Sequence, residues 1–188
     1  TTRRGLDLVR AAKAKGLPVT CGISPTHLFL SEVAIHDFRT FARLSPPLRA
    51  EADRQACLTA IADGTIDVLC SAHDPRGPEA KRLPFADADP GSAGAETLLA
   101  LALGLVRDGL IDEARLFDLL AAAPSRLLGL ECGHIAPGAP ADLVVYDAGT
   151  PWQIDAARFV GQAGNTPFDK LPVQGRVHAT IKGGRVLS

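Results

Sequence analysis

Apolar and polar positions recur along the chain with two different periods, and the switches between them outline its elements. From Arg3 to Lys15, Leu6, Leu8, Val9 and Ala12 gather on one face and the Arg and Lys positions on the other, which predicts a helix stopped at Gly16. Leu17 to Ile23 reads as a strand begun at a proline, and Ser24-Pro25-Thr26-His27 closes it. A polar connection from Ser31 to Arg43 leads into Leu44-Ser45-Pro46-Pro47-Leu48-Arg49, an extended segment in which each proline turns the preceding residue away from helix. Glu51 to Asp63 predicts a second amphipathic helix offering Ala52, Ala56, Ile61 and Ala62 to a core, with Gly64 after it. Ile66, Val68, Leu69 and Cys70 then form a short apolar run, suited to a parallel strand covered on both faces, until Pro75 and Pro78 stop it.

Helix, strand, loop, repeated, is the alternation of α/β folds with parallel strands. Only two such strands are present, whereas a full (β/α)8 barrel takes about 250 residues, so the expected architecture is the last part of a barrel. A long irregular loop follows, from Lys81 through Thr97, opening a helix that runs to about Arg107. Glu96 suits the positive end of that helix, and Gly91 and Gly94 allow backbone to approach a ligand. Asp112 is the expected N-cap of a helix carrying Leu116, Leu119 and Leu120, with Pro124 opening a final turn through Leu128. Beyond Gly133 the pattern changes to β-runs, Ala141–Asp147 and Arg176–Ile181, and Gly183-Gly184 marks a hairpin. The expected division is therefore 1–130 for the barrel part and 131–188 for a small antiparallel unit.

Charge narrows the function classes. With 20 basic and 21 acidic residues the net charge is -1, which provides no footprint for nucleic acid or an anionic membrane and leaves small-molecule chemistry. No stretch has the apolar length of a membrane span or the order of a signal peptide, so the expected location is the cytoplasm. Cys21, Cys57, Cys70 and Cys132 are scattered and read as buried thiols. The chain opens Thr-Thr-Arg-Arg without methionine, which suggests a fragment or a processed product. The candidate chemistry lies after the second strand, where Ala72-His73-Asp74-Pro75-Arg76 falls at the end at which α/β barrels bind ligands. The plainer alternative is a turn in which Asp74 only bonds nearby backbone N–H groups.

Gly133-His134-Ile135-Ala136-Pro137-Gly138-Ala139-Pro140-Ala141-Asp142-Leu143-Val144-Val145-Tyr146-Asp147 resembles the tail signature of the amidohydrolase superfamily, whose β-sandwich follows a metal-dependent barrel. Ser45-Pro46-Pro47-Leu48-Arg49, Asp63-Gly64-Thr65-Ile66-Asp67-Val68, Lys81 with Leu83-Pro84-Phe85, Gly94 with Glu96-Thr97, and Asn165-Thr166-Pro167-Phe168 narrow the resemblance to bacterial-type dihydroorotases. The resemblance implies reversible hydrolysis of L-dihydroorotate to N-carbamoyl-L-aspartate in pyrimidine biosynthesis. It also implies zinc, whose ligands belong mainly to strands upstream of Thr1, so that this chain itself contributes no assigned metal ligand. A missing N-terminal barrel half would then be a structural partner.

Matched position by position, the chain departs from the family. The usual barrel-end motif is Asp-His-Ala-Pro-His, so Ala72 stands at the catalytic aspartate, His73 and Pro75 match, and Asp74 stands where the family has alanine. Asp74 and His73 are accordingly the catalytic candidates. Arg76 stands where a histidine binds the substrate carboxylate, a task that a forked guanidinium suits. Ser45 replaces a substrate-contacting asparagine, and Pro90 and Gly91 fall on the backbone loop that touches substrate. Thr26 replaces the first of two histidines and leaves His27, while His36, His134 and His178 match no ligand. The leading reading is a dihydroorotase-type enzyme. Its rival is a non-catalytic dihydroorotase-like subunit that scaffolds aspartate transcarbamoylase, and a hydantoinase ranks third because the Pro-Pro-Leu-Arg and Asn-Thr-Pro-Phe segments favour the first two.

Overall fold

The computed structural model describes residues 1–187. The chain forms two compact units, one of Thr1–Leu98 with Ile154–Leu171, the other of Leu99–Gln153 with the chain from Pro172 onward.

In the first unit, α1 (Arg3–Ala14) is capped by Thr2, whose hydroxyl accepts the Gly5 N–H at 3.1 Å. Leu6 is buried, but Leu8 is 65% exposed, so the expected apolar face is narrower than its sequence pattern. The charged face is not merely solvated. Arg10 reaches Asp63 and Thr65, and Lys13 bonds both the Thr65 carbonyl and the Asp67 carboxylate, which ties α1 to the approach of the second strand. Strand β1 (Gly22–Ile23) leads into α2 (Pro25–Phe29), and α3 (Glu51–Ala62) precedes β2 (Val68–Leu69). The strands pair in parallel, as expected, with Gly22 opposite Val68 and Ile23 opposite Leu69.

The predicted strand from Leu17 shrinks to two residues because pairing starts only at Cys21. Its carbonyl accepts Asp67 and Val68 N–H groups, and its N–H donates to the Asp67 carboxylate. Leu17 and Val19 upstream stay exposed. Of the alanines offered by α3, Ala52 and Ala62 face solvent; Cys57, Ala60 and Ile61 make the buried face, at the i, i+3, i+4 spacing of one helix side. The expectation of buried thiols holds for Cys57 alone: Cys70 is exposed, and Cys21 and Cys132 are half-buried. Cys70 loses cover because β2 ends at Leu69 and the chain turns away. A short helix, α4 (Pro78–Lys81), lies in the loop that follows.

In the second unit α5 (Leu98–Arg107) is buried from Ala100 through Leu105. Asp112 caps α6 (Glu113–Phe117), accepting the Arg115 N–H at 2.7 Å, and a π turn over Asp118–Ala122 carries the chain into α7 (Ala123–Leu128). Strands β3 (Leu143–Gln153), β4 (Pro172–Lys182) and β5 (Arg185–Val186) form an antiparallel sheet in that order. Gly183 and Gly184, both at positive φ, make the two-residue turn between β4 and β5. Both long strands exceed their predicted runs because β3 recovers its pairing after a break between Asp147 and Pro151, where Asp147 accepts the Gly149 and Thr150 N–H groups. Among the described residues no helix is long and apolar enough to cross a membrane.

His27 at α2 is buried and bonded on both ring nitrogens, to Ser24 Oγ at 2.9 Å and the Pro46 carbonyl at 3.0 Å. Burial lowers its pKa below the ordinary 6.5. The unfolded chain therefore takes up a proton first as pH falls, so stability is constant above about pH 6.5 and declines below it. Urea denaturation between pH 5 and 8 should show that decline in the wild type and a shallower one in His27→Gln. Equal slopes in the two proteins would remove His27 as the cause.

Candidate functional site

The residues after β2 form the candidate site. Ala72 lies at φ +45°, in the left-handed region that few side chains adopt, and this kink turns the chain out of the strand direction. His73 and Asp74 then run alongside Ser92: His73 pairs with it as an isolated parallel bridge, and the Asp74 N–H donates to its carbonyl at 2.8 Å. The His73 ring accepts the Gly94 and Ala95 N–H groups at Nδ1, both at 3.2 Å, which places the proton of the neutral ring on Nε2. The Asp74 carboxylate pairs with Arg76, Oδ2 to Nη2 at 2.9 Å. Arg76 also donates from Nε to the Pro90 carbonyl at 3.0 Å. Its Nη1 has no partner among the described residues.

One residue holds these pieces together, and the sequence reading assigned it no role. Asn165 is buried, and its Nδ2 donates to the carbonyls of Asp74 and Gly91, each at 3.2 Å, while its Oδ1 accepts the Arg76 N–H at 3.1 Å. Its own carbonyl accepts the Ala93 N–H at 3.0 Å. The Asn-Thr-Pro-Phe segment was visible in the sequence, but a clasp between residues about ninety positions apart is not. Lys81 was likewise only part of a motif. It is buried, with Nζ donating to the carbonyls of Asp89 at 2.7 Å, Thr40 at 3.2 Å and Arg43 at 3.5 Å. Burial, followed by the charges of Arg76 and Arg43, pushes its pKa below the usual lysine range.

The structure brings His73, Asp74, Arg76, Pro90 and Gly91 into one neighbourhood through these bonds. Ser45 is exposed and shares no hydrogen bond with them. The Pro90 carbonyl and both backbone groups of Gly91 are already engaged, the Gly91 N–H with the Arg43 carbonyl at 3.1 Å. Ser92 Oγ is buried without a hydrogen-bond partner among the described residues. Glu96 lies in the first turn of the 3-10 segment Ala95–Thr97 that opens α5, as expected, and its carboxylate also accepts the N–H groups of Val160 and Gly161 at 3.1 and 3.0 Å, tying a second loop to this one. No three His, Cys, Asp or Glu side chains gather as a metal-ligand set among the described residues. The residues of this chain alone therefore do not fit a zinc site.

The glycines of the long loop serve close packing. A Cβ on Gly91, at φ +130°, would lie 2.5 Å from Asp74 Oδ2 and 2.8 Å from the Asp74 carbonyl oxygen, and one on Gly94 would collide with the Ser71 carbonyl. Gly64, at φ +83°, has open space around it. Gly91→Ala should therefore destabilise the protein by more than Gly64→Ala, whose cost is the backbone term of about 1–2 kcal/mol alone. Chemical denaturation of the pair checks this, and equal losses would show that the Asp74 contact is yielding.

The amidohydrolase family matches residues 4–187. A dihydroorotase of Anaeromyxobacter dehalogenans is 40% identical over 189 residues, covering 100% of this chain and 44% of its own length. A dihydroorotase-like protein of Pseudomonas aeruginosa is 38% identical over 192 residues, covering 99% of this chain and 44% of its own. Among solved structures, an L-hydantoinase (dihydropyrimidinase) from Arthrobacter aurescens superposes with a TM-score of 0.91 at 27% identity, over 100% of this chain and 43% of that one. The chain thus spans less than half the length of these relatives. On the family match, the sequence likeness and the shared fold together, the chain belongs to the amidohydrolase family and is of its dihydroorotase type.

Proposed function

We propose that the protein is a cyclic amidohydrolase of the cytoplasm that interconverts L-dihydroorotate and N-carbamoyl-L-aspartate in de novo pyrimidine biosynthesis. The observation that carries this reading is 40% identity to a dihydroorotase along the whole chain, against 27% for the hydantoinase whose fold it shares. In this reading residues 1–130 complete the barrel with an N-terminal half, and 131–188 belong to the β-sandwich. In this reading zinc would be held mainly by ligands outside this chain.

Arg76 is the substrate anchor. With Nε and Nη2 fixed by Pro90 and Asp74, its planar fork is already oriented and keeps Nη1 for a substrate carboxylate. Asp74 is the proton carrier in place of the aspartate that Ala72 lacks. Its ion pair with Arg76 holds the carboxylate in one position, the geometric requirement for a general acid or base. His73, with Nδ1 occupied, offers Nε2–H as a donor to a developing oxyanion. Ser45 supplies a hydroxyl to the substrate, and Pro90 and Gly91 form the backbone wall beside it.

A second reading rests on Ala72 itself: a dihydroorotase-like subunit without chemistry, which scaffolds aspartate transcarbamoylase. Turnover of dihydroorotate by the wild type separates the two. If it is active, Asp74→Asn should lower turnover by about 10²–10⁴-fold without unfolding the protein, the usual contribution of a positioned acid or base. An active wild type with an equally active variant eliminates Asp74 as the proton carrier, and an inactive wild type that still assembles with the transcarbamoylase supports the scaffold. Arg76→Ala should weaken carbamoyl-aspartate binding roughly tenfold to a hundredfold, the worth of one charge-assisted hydrogen bond. Calorimetry showing unchanged affinity would exclude Arg76 from the site.

A further inference from the structure

A cavity of about 730 Å³ in the first unit has a strongly unbalanced lining. Four cationic side chains, Arg39, Arg76, Lys81 and Arg82, face it against a single carboxylate, Asp169. That carboxylate is already occupied, accepting the Ala156 N–H at 2.9 Å and lying 3.9 Å from Lys170. Of the four cations only Arg76 forms an ion pair among the described residues, with Asp74. Lys81 is held by backbone carbonyls and forms no ion pair among the described residues, the Asp74 and Asp89 carboxylates acting on its charge only from farther off. The side chains of Arg39 and Arg82 make no hydrogen bond or ion pair among the described residues. The rest of the wall includes aromatic surface, from Phe41 and from Phe38, which is 72% exposed and packs its ring 6.1 Å from that of Phe85.

Three cationic side chains without an ion-pair partner among the described residues repel one another around one concavity, and low-dielectric walls concentrate their field. The most economical relief is an anion, which guanidinium groups bind through paired N–H donors. The volume suits a small organic molecule, since ligand cavities run to about 300–1,000 Å³.

We propose that this cavity binds a small organic polyanion, a phosphate ester or a polycarboxylate, with its charged end between Arg39 and Arg82 and its apolar part against Phe38 and Phe41. Neither Arg39 nor Arg82 has a part in the hydrolytic reading. Binding here is therefore measurable whether or not the protein turns over dihydroorotate. Because Arg76 lines the cavity and also braces Asp74, a bound anion would be felt at the end of β2.

The test is calorimetric titration of the intact protein at low ionic strength with phenyl phosphate and, separately, with phthalate. Saturable binding of either probe is expected, weakening with added salt. The Arg39→Gln, Arg82→Gln double variant, whose changed side chains are exposed, should lose roughly tenfold to a hundredfold in affinity while keeping its melting temperature. Whichever probe binds more tightly assigns the ligand to phosphates or to carboxylates. Phe38→Ala should weaken phenyl phosphate more than inorganic phosphate, and equal effects on both would overturn the placement of the apolar part. Failure of both probes to saturate, or equal affinity in the double variant, would overturn the proposal itself.

Discussion

Everything at the end of β2 depends on the side-chain amide of Asn165. It joins three backbone points that no regular element connects: the carbonyls of Asp74 and Gly91 and the N–H of Arg76. A buried donor or acceptor left without a partner costs about 1–3 kcal/mol, so removing this amide would penalise several groups at once. Asparagine is the right size and chemistry for the task because it presents donors and an acceptor in one plane. The clasp also places the two loops close enough that only a glycine fits at 91 and at 94.

From that constraint follows the orientation of the charged residues. With the backbone of Asp74 and Arg76 fixed, their side chains meet, and the Arg76 fork is completed by the Pro90 carbonyl across the same junction. The pair is partly exposed, so its own contribution to stability is below about 1 kcal/mol. Its consequence is positional, since it sets where a carboxylate and a guanidinium are presented. The unit treats its buried polar groups in the same manner: His27 and Lys81 are anchored on main-chain carbonyls, which supply acceptors without adding a counter-charge. That choice leaves the neighbourhood of Arg76 electropositive.

The helices were legible because their information is local. The cap at Asp112, the stop after α1, and the Gly183-Gly184 turn each depend on a few adjacent residues, and each is found where the pattern puts it. The parallel relation of β1 and β2 was also legible from the helix–strand alternation. Burial was less so. Ala52 and Ala62 of α3 and the leucine at position 8 carry an apolar label, but a helix buries only the side its neighbour covers, and in α3 that side holds Cys57, Ala60 and Ile61.

The sequence by itself determined the class of fold, the family, and the residue types at the strand end, because these follow from periodicity and from motifs whose members are close together. Tertiary structure alone decided what those residues do to one another. The clasp by Asn165, the engagement of Glu96 with Val160 and Gly161, and the cation-lined cavity all join segments separated by tens of positions. Hydrogen bonds and charge pairs act over a few ångströms in space, and one-dimensional order carries no measure of that distance.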